Sequence, residues 1–255
     1  QMRYLNRSRF LRPHAGADIS VTANKGTLLS SYYIERYEKD ADGNYKYDTD
    51  GKKIPVLDTE GNQVFDWVKD SYSDQKGLYA DNGAIILQGI DSAKVVAVAN
   101  DSNAYSIHGC RGTGTEVSVY AKKVSLEAEA SGDAWGIKND INAKVNIGDV
   151  NTESVSIIAK GSAAKAVYNM GVANIKGKSI SIESVGPNGS SCGVYTGRNV
   201  ETNIGTDNTK DISIKVEGKY VAGSNYTRGI NTDFNGKTSL QAETVKVELK
   251  GEGAK

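Results

Sequence analysis

Val124-Ser125-Leu126-Glu127-Ala128, Val155-Ser156-Ile157-Ile158-Ala159, Ile180-Ser181-Ile182-Glu183-Ser184 and Ile212-Ser213-Ile214-Lys215-Val216 are four copies of one phrase, apolar-Ser-apolar-x-small. Degenerate copies begin at Val95 and Leu240, so the starts fall 29, 31, 25, 32 and 28 residues apart. Within each copy the apolar residues alternate with polar ones. That period of two belongs to a strand with one buried face, not to a helical stripe.

Two further phrases recur inside each unit. The first is Ala104-Tyr105-Ser106-Ile107, Ala134-Trp135-Gly136-Ile137, Ala164-Lys165-Ala166-Val167, Ser191-Cys192-Gly193-Val194 and Thr227-Arg228-Gly229-Ile230. The second is Val117-Ser118-Val119, Val145-Asn146-Ile147, Val172 to Ile175 and Val200 to Ile204. A unit of about 29 residues with three short strands cannot bury its own apolar face, so the units must stack, each as one coil of a parallel β-helix. Ile107, Ile137, Val167, Val194 and Ile230 are then one inward column, with Gly136, Gly193 and Gly229 just before it where a side chain would crowd the neighbouring backbone. A leucine-rich repeat lacks its Leu framework and helix here, and a two-sheet sandwich gives no reason for a constant interval.

The N-terminal third departs from the repeat. Asp18-Ile19-Ser20-Val21-Thr22-Ala23 reads as a first-strand phrase, with Ala84-Ile85-Ile86-Leu87 as the third strand of that same coil. The surplus between them predicts a turn-rich β insertion over 30–76, with turns at Asp42-Gly43-Asn44, Asp50-Gly51-Lys52 and Glu60-Gly61-Asn62. The organisation expected is a segment 1–17 that caps the solenoid and a β-helix over 18–255, interrupted by 30–76. The chain is expected to continue beyond Lys255.

Composition narrows the function. The 255 residues are 38% hydrophobic and 7% aromatic, with 31 basic and 31 acidic side chains, a balance that gives no support for a nucleic-acid footprint. No run approaches the roughly 18 apolar residues of a membrane-spanning helix, and the first residues do not lead into a signal-peptide core. Any export signal is therefore expected to lie outside this sequence. The two cysteines, Cys110 and Cys192, sit three coils apart, or about 14 Å at the strand spacing, too far for a disulfide. Cys192 is expected to be the more reachable thiol.

The chain carries no phosphate loop, nucleophile elbow or His-Glu-x-x-His pair. Asp133, Asp140, Glu127 and Glu129 are the nearest approach to the paired carboxylates of a glycosidase, and Glu127 and Glu129 alternate with core residues as solvent-facing positions do. His108 has no Asp or Ser tied to it by spacing. Asp40, Asp42, Asp48 and Asp50 resemble clustered calcium ligands, but their glycines do not fall where an EF-hand loop needs them, so solvated turns are expected. No cofactor or metal is expected. The aromatics Tyr105, Trp135, Tyr168, Tyr195 and Tyr226 cluster about one phrase as either a binding surface or packing.

The repeated Val-Ser-Ile-x-Ala followed by Ala-x-Gly-Ile, over residues 84 to 250, resembles the passenger regions of bacterial type V autotransporters and related large cell-surface adhesins. The resemblance implies an all-β, right-handed parallel β-helix, here of about six coils, exported to the bacterial cell surface and working in adhesion or aggregation. It supplies no catalytic residues, and the protease and esterase patterns of some passengers are absent. The expectation is a non-enzymatic extracellular fragment that binds a host glycan, a matrix protein or a copy of itself, without inserting in the membrane. Tyr45, Tyr47 and Trp67 of the insertion are its expected ligand contacts. The alternatives are a carbohydrate-active β-helix, lyase or hydrolase, and a phage or fibre-like structural protein.

Overall fold

The computed structural model describes residues 9–11, 18–30, 33–35, 37–57, 65–67, 74–80, 83–99, 102–109, 114–219 and 227–251. It is all-β, a right-handed parallel β-helix. Five coils have three strands each: residues 104–130, 134–160, 164–186, 192–218 and 228–250. Each strand pairs in parallel with its counterpart in the next coil, which gives three vertical columns.

Column one contains Ala104–Gly109, Ala134–Asn139, Ala164–Asn169, Cys192–Thr196 and Arg228–Thr232. Column two runs from Glu116–Tyr120 to Lys237–Gln241, and column three from Lys123–Ala130 to Thr244–Lys250. Two earlier coils precede these five. In them columns two and three are fused into one long strand: Asp18–Ser30 pairs with Ala84–Ala99, which in turn pairs with both Glu116–Tyr120 and Lys123–Ala130. Arg9–Leu11 and Gln75–Ala80 complete column one.

The inward column has the register expected of it. Ile107 pairs with Ile137, Ile137 with Val167, Val167 with Val194 and Val194 with Ile230, and Leu78 extends the line upstream. The first four are fully buried and Ile230 is partly so. Column three adds Val124, Leu126, Val155, Ile157, Ile180, Ile182, Ile212 and Ile214 to the same core. Each β-branched residue thus lies above another about 4.8 Å away, a continuous apolar wall.

Three registers differ from the sequence reading. Val95 lies opposite Leu126, so the copy in its coil starts at Ala93. Leu240 belongs to column two, and the copy that stacks on Ile212 starts at Val245. Ile19 pairs with Ile85, so the two lie in adjacent coils of one column rather than in one coil. The physical reason is common to all three: alternating apolar residues satisfy any column, and only the stacking partner tells the columns apart.

The corners explain several residues outside the phrases. Asn142, Asn199 and Asn235 take left-handed backbone (φ 65°, 55° and 54°) at the bend between columns one and two, where asparagine is tolerated and β-branched residues are not. Thr152 and Thr209 clamp the next bend, each hydroxyl donating to a carbonyl of the preceding coil, Ala121 and Gly177, at 2.8 Å.

Inside the first bend runs a buried polar ladder. Asn139 Nδ2 donates to Asn169 Oδ1 (2.8 Å) and to the carbonyls of Ala143 and Val172, while Asn169 Nδ2 donates to Thr202 Oγ1 and the Glu201 carbonyl. Thr196 and Thr238 continue it.

Between Ser30 and Gln75 the pairing turns antiparallel. Tyr33–Glu35 pairs with Phe65–Trp67, and bridges join Tyr37 to Pro55, Lys39 to Tyr45 and Tyr47 to Lys53. Its turns close on Gly43 and Gly51, both at positive φ.

Candidate functional site

The outward side of column one is the most distinctive surface. A strand's side chains normally alternate, yet in Ala134–Asn139 both Gly136 and Ile137 are buried, while Trp135 and Lys138 point out. This break in phase, repeated in each coil, leaves two outward ladders. One stacks Lys76, Tyr105, Trp135, Lys165, Cys192 and Arg228; the other stacks Tyr79, His108, Lys138, Tyr168, Tyr195 and Asn231.

The aromatics that cluster about this phrase divide between these ladders. Tyr105 and Trp135 stack at 4.6 Å and 7° in the first, and Tyr168 and Tyr195 at 4.7 Å and 8° in the second. Tyr226 lies outside the described residues. Lys165 Nζ sits 5.2 Å above the Trp135 ring, and Lys138 Nζ 5.2 Å from Tyr105 and 5.7 Å from Trp135. The faces of Tyr105 and Trp135 are thus taken by one another and by ammonium groups, while Tyr168 and Tyr195 cover one face of each other.

Between the ladders, over the last four coils, is an open groove of about 410 Å³. Trp135, Lys138, Lys165, Tyr168, Tyr195 and Arg228 line most of it, with Ser190, Ser191, Cys192 and Asn231. Lys138, Lys165 and Arg228 make no ion pair among the described residues, and no carboxylate is in the lining. Burial pushes the Tyr168 and Tyr195 hydroxyls above their ordinary range and the Cys192 thiol up to about 12, so all three stay protonated at neutral pH. Cys192 is 7% exposed and free, its Sγ donating to the Val194 carbonyl. The reachable thiol expected there is therefore a buried one, because Lys165 and Arg228 flank it in the stack; Cys110 lies outside the described residues.

One pair escaped the sequence reading. His108 Nε2 lies 3.0 Å from Asp140 Oδ2, one coil on. The missing signal was the coil interval itself, which sets the histidine beside the corner following Asn139. The ring is sandwiched, stacked on Tyr105 at 4.9 Å and meeting Tyr79 edge-on at 5.4 Å, and only 7% of the residue is exposed. Burial lowers its pKa, against the opposing pull of Asp140. A general base needs an approach path in the ring plane to one of its nitrogens, and here Nε2 is engaged by Asp140 while Nδ1 is buried.

The other sequence candidates are dispersed. Glu127 accepts from Ser125 and pairs with Lys94 Nζ at 2.8 Å on column three, and Glu129 is exposed on the same strand. Asp133 is at the start of column one, its N–H donating to Asn103. Asp40 Oδ1 accepts the N–H groups of Asp42 and Asn44, and Asp48 Oδ1 those of Asp50 and Lys52, so both carboxylates fasten their own turns.

Tyr45 is 41% exposed and holds Lys53 Nζ 4.0 Å above its ring, with Tyr37 edge-on at 6.1 Å. Tyr47 is more exposed, and Trp67 pairs through its backbone with Tyr33. A second concavity, on column two, is crossed by Asn146 and Asn174, whose amides bond one another and Glu116, with Asn203 continuing the chain beyond it. Its polar groups are largely satisfied within the protein.

The fold is one that adhesins, polysaccharide lyases and structural fibres share. Comparison of the chain with protein-family models, with curated proteins and with solved structures finds no match in any of the three.

Proposed function

We propose that this chain is part of a non-catalytic adhesive solenoid of the bacterial cell surface, of the autotransporter or large-adhesin type, and that it binds its ligand along the outward side of column one. The observation that carries this reading is the groove between the two ladders, where aromatic edges and unpaired cations from successive coils line up on a rigid backbone. Rigid elements hold side chains in place before the ligand arrives, which lowers the ordering cost of binding. The exposed Tyr45 and Tyr47 of the insertion offer an additional contact surface.

The test is a panel of immobilised glycans and matrix proteins probed with the purified chain, alongside assays for polysaccharide cleavage. Saturable binding that falls when Trp135 or Tyr168 is replaced by Ala, without product release, supports the adhesive reading. A carbohydrate-active enzyme is the second reading, for which Asp140, the more exposed partner of the His108–Asp140 pair, is the nearest acid. Turnover abolished by Asp140→Asn would replace the first reading with the second.

A further inference from the structure

We propose that the column-one groove takes an acidic polysaccharide, a linear chain of pyranose rings bearing carboxylates, lying along the solenoid axis. This deepens the adhesive reading and rests on it.

The charge of the lining selects the ligand's sign. Across the chain acidic and basic groups balance at 31 each, yet the groove gathers three cations and no carboxylate. The ammonium groups of Lys138 and Lys165 are held over the rings of Tyr105 and Trp135, which fixes them without neutralising them. Tyr168 and Tyr195 present ring edges, the positive part of an aromatic quadrupole. The Tyr168 hydroxyl, with Ser190 and Asn231, is a further donor, while that of Tyr195 donates to Asp233.

The spacing selects the ligand's shape. Trp135, Lys165, Cys192 and Arg228 occupy successive rungs of one ladder, so the groove is about 14 Å long at 4.8 Å per rung. An extended polymer meets Lys138 and Lys165 on adjacent rungs, then the Cys192 rung without a charge, then Arg228. Single-stranded nucleic acid binds its bases on free aromatic faces, and here Trp135 is covered by Tyr105 and by ammonium groups while Tyr168 and Tyr195 cover one face of each other. Asp140 and Asp233 lie at the ends of the column-one strands. Sugar hydroxyls can donate to those same carboxylates.

Calorimetric titration with oligogalacturonate, its methyl ester and poly-glutamate separates the contributions, since the ester keeps the rings without the charge and the peptide keeps the charge without the rings. Oligogalacturonate is expected to bind saturably, more weakly as salt rises. Methyl esterification, Lys165→Gln and Arg228→Gln should each weaken binding about tenfold or more, as expected for losing a charge-assisted hydrogen bond, with thermal melts unchanged. Equal binding of acid and ester, poly-glutamate binding as tight as the sugar, full affinity in both variants, or no binding of oligogalacturonate would each overturn the proposal. If the ester binds as well as the acid and Trp135→Ala abolishes both, the adhesive reading stands and only the acidic class falls. If no glycan or matrix protein binds, both fall.

Discussion

Replacing Gly136 with alanine tests the packing that creates the two outward ladders. A Cβ at that position would come within 2.5 Å of Ile157 Cγ2 and 2.6 Å of the Ala166 carbonyl oxygen, about 1 Å inside ordinary contact. Ile157 is fully buried in column three and the carbonyl belongs to the next rung's backbone, so neither can rotate away. Overpacking of this kind costs about 1 to 3 kcal/mol. The lost chain entropy of glycine in the unfolded state returns about 0.4 to 1 kcal/mol. The net expectation for Gly136→Ala is a destabilisation of about 1 to 2 kcal/mol.

Ile157→Ala alone should cost about 2 to 5 kcal/mol through burial lost and cavity left. It also removes the nearer of the two clashing atoms, so the double variant should be more stable than the two single effects added, by about 1 kcal/mol. Urea unfolding of the four proteins, compared at constant slope, measures this. A Gly136→Ala midpoint equal to or above that of the parent, or strict additivity in the double variant, would refute the close approach of columns one and three.

Other expectations concern titration and thiol access. His108 is depressed by burial despite Asp140, with Lys138 and Lys76 lowering it further. The unfolded state therefore binds the proton more readily: the stability due to the neutral ring is full above about pH 6.5 and is lost as pH falls below it. Melting temperatures between pH 7.5 and 5 should show this fall, and His108→Gln should flatten it; an unchanged slope in the variant would contradict the assignment. Cys192, with its thiol pushed up to about 12, should resist alkylation in the native protein at pH 8 and react in denaturant. Peptide-resolved labelling that finds it modified rapidly without denaturant would show that the stack around it opens. Asn139→Ala should cost about 1 to 3 kcal/mol in urea unfolding, since it removes three hydrogen bonds from the inter-coil ladder and leaves a cavity there.

The coil interval and the inward column were legible because Ile107, Ile137, Val167, Val194 and Ile230 all follow a small residue at matching positions, a local pattern that survives in one dimension. The columns were harder to assign at the ends. Val95 lies in a strand where two columns are fused, and Leu240 precedes a genuine copy by five residues, so each fits the phrase in the wrong place. The groove was only partly legible. Trp135, Lys165 and Arg228 come from three different coils, and the phase break at Gly136 separates Trp135 from Tyr168 although both cluster about one phrase in the sequence. The His108–Asp140 pair demanded knowing which corner lies beside which strand.

The buried ladder at the first bend also bears on how such a chain avoids assembling wrongly. Coils this alike invite a slipped pairing in which one is skipped, since valine over isoleucine costs little wherever it occurs. The ladder position, however, is occupied in turn by Gly109, Asn139, Asn169, Thr196 and Thr232. A skip that set Asn139 beside Thr196 would offer its amide the same Thr202 hydroxyl and Glu201 carbonyl that Asn169 now holds. What such a skip forfeits is the Asn139–Asn169 bond, the one rung of this ladder where amide meets amide. The apolar wall tells the chain to stack, and one amide pair marks two coils as neighbours, an address written inside a repetitive core.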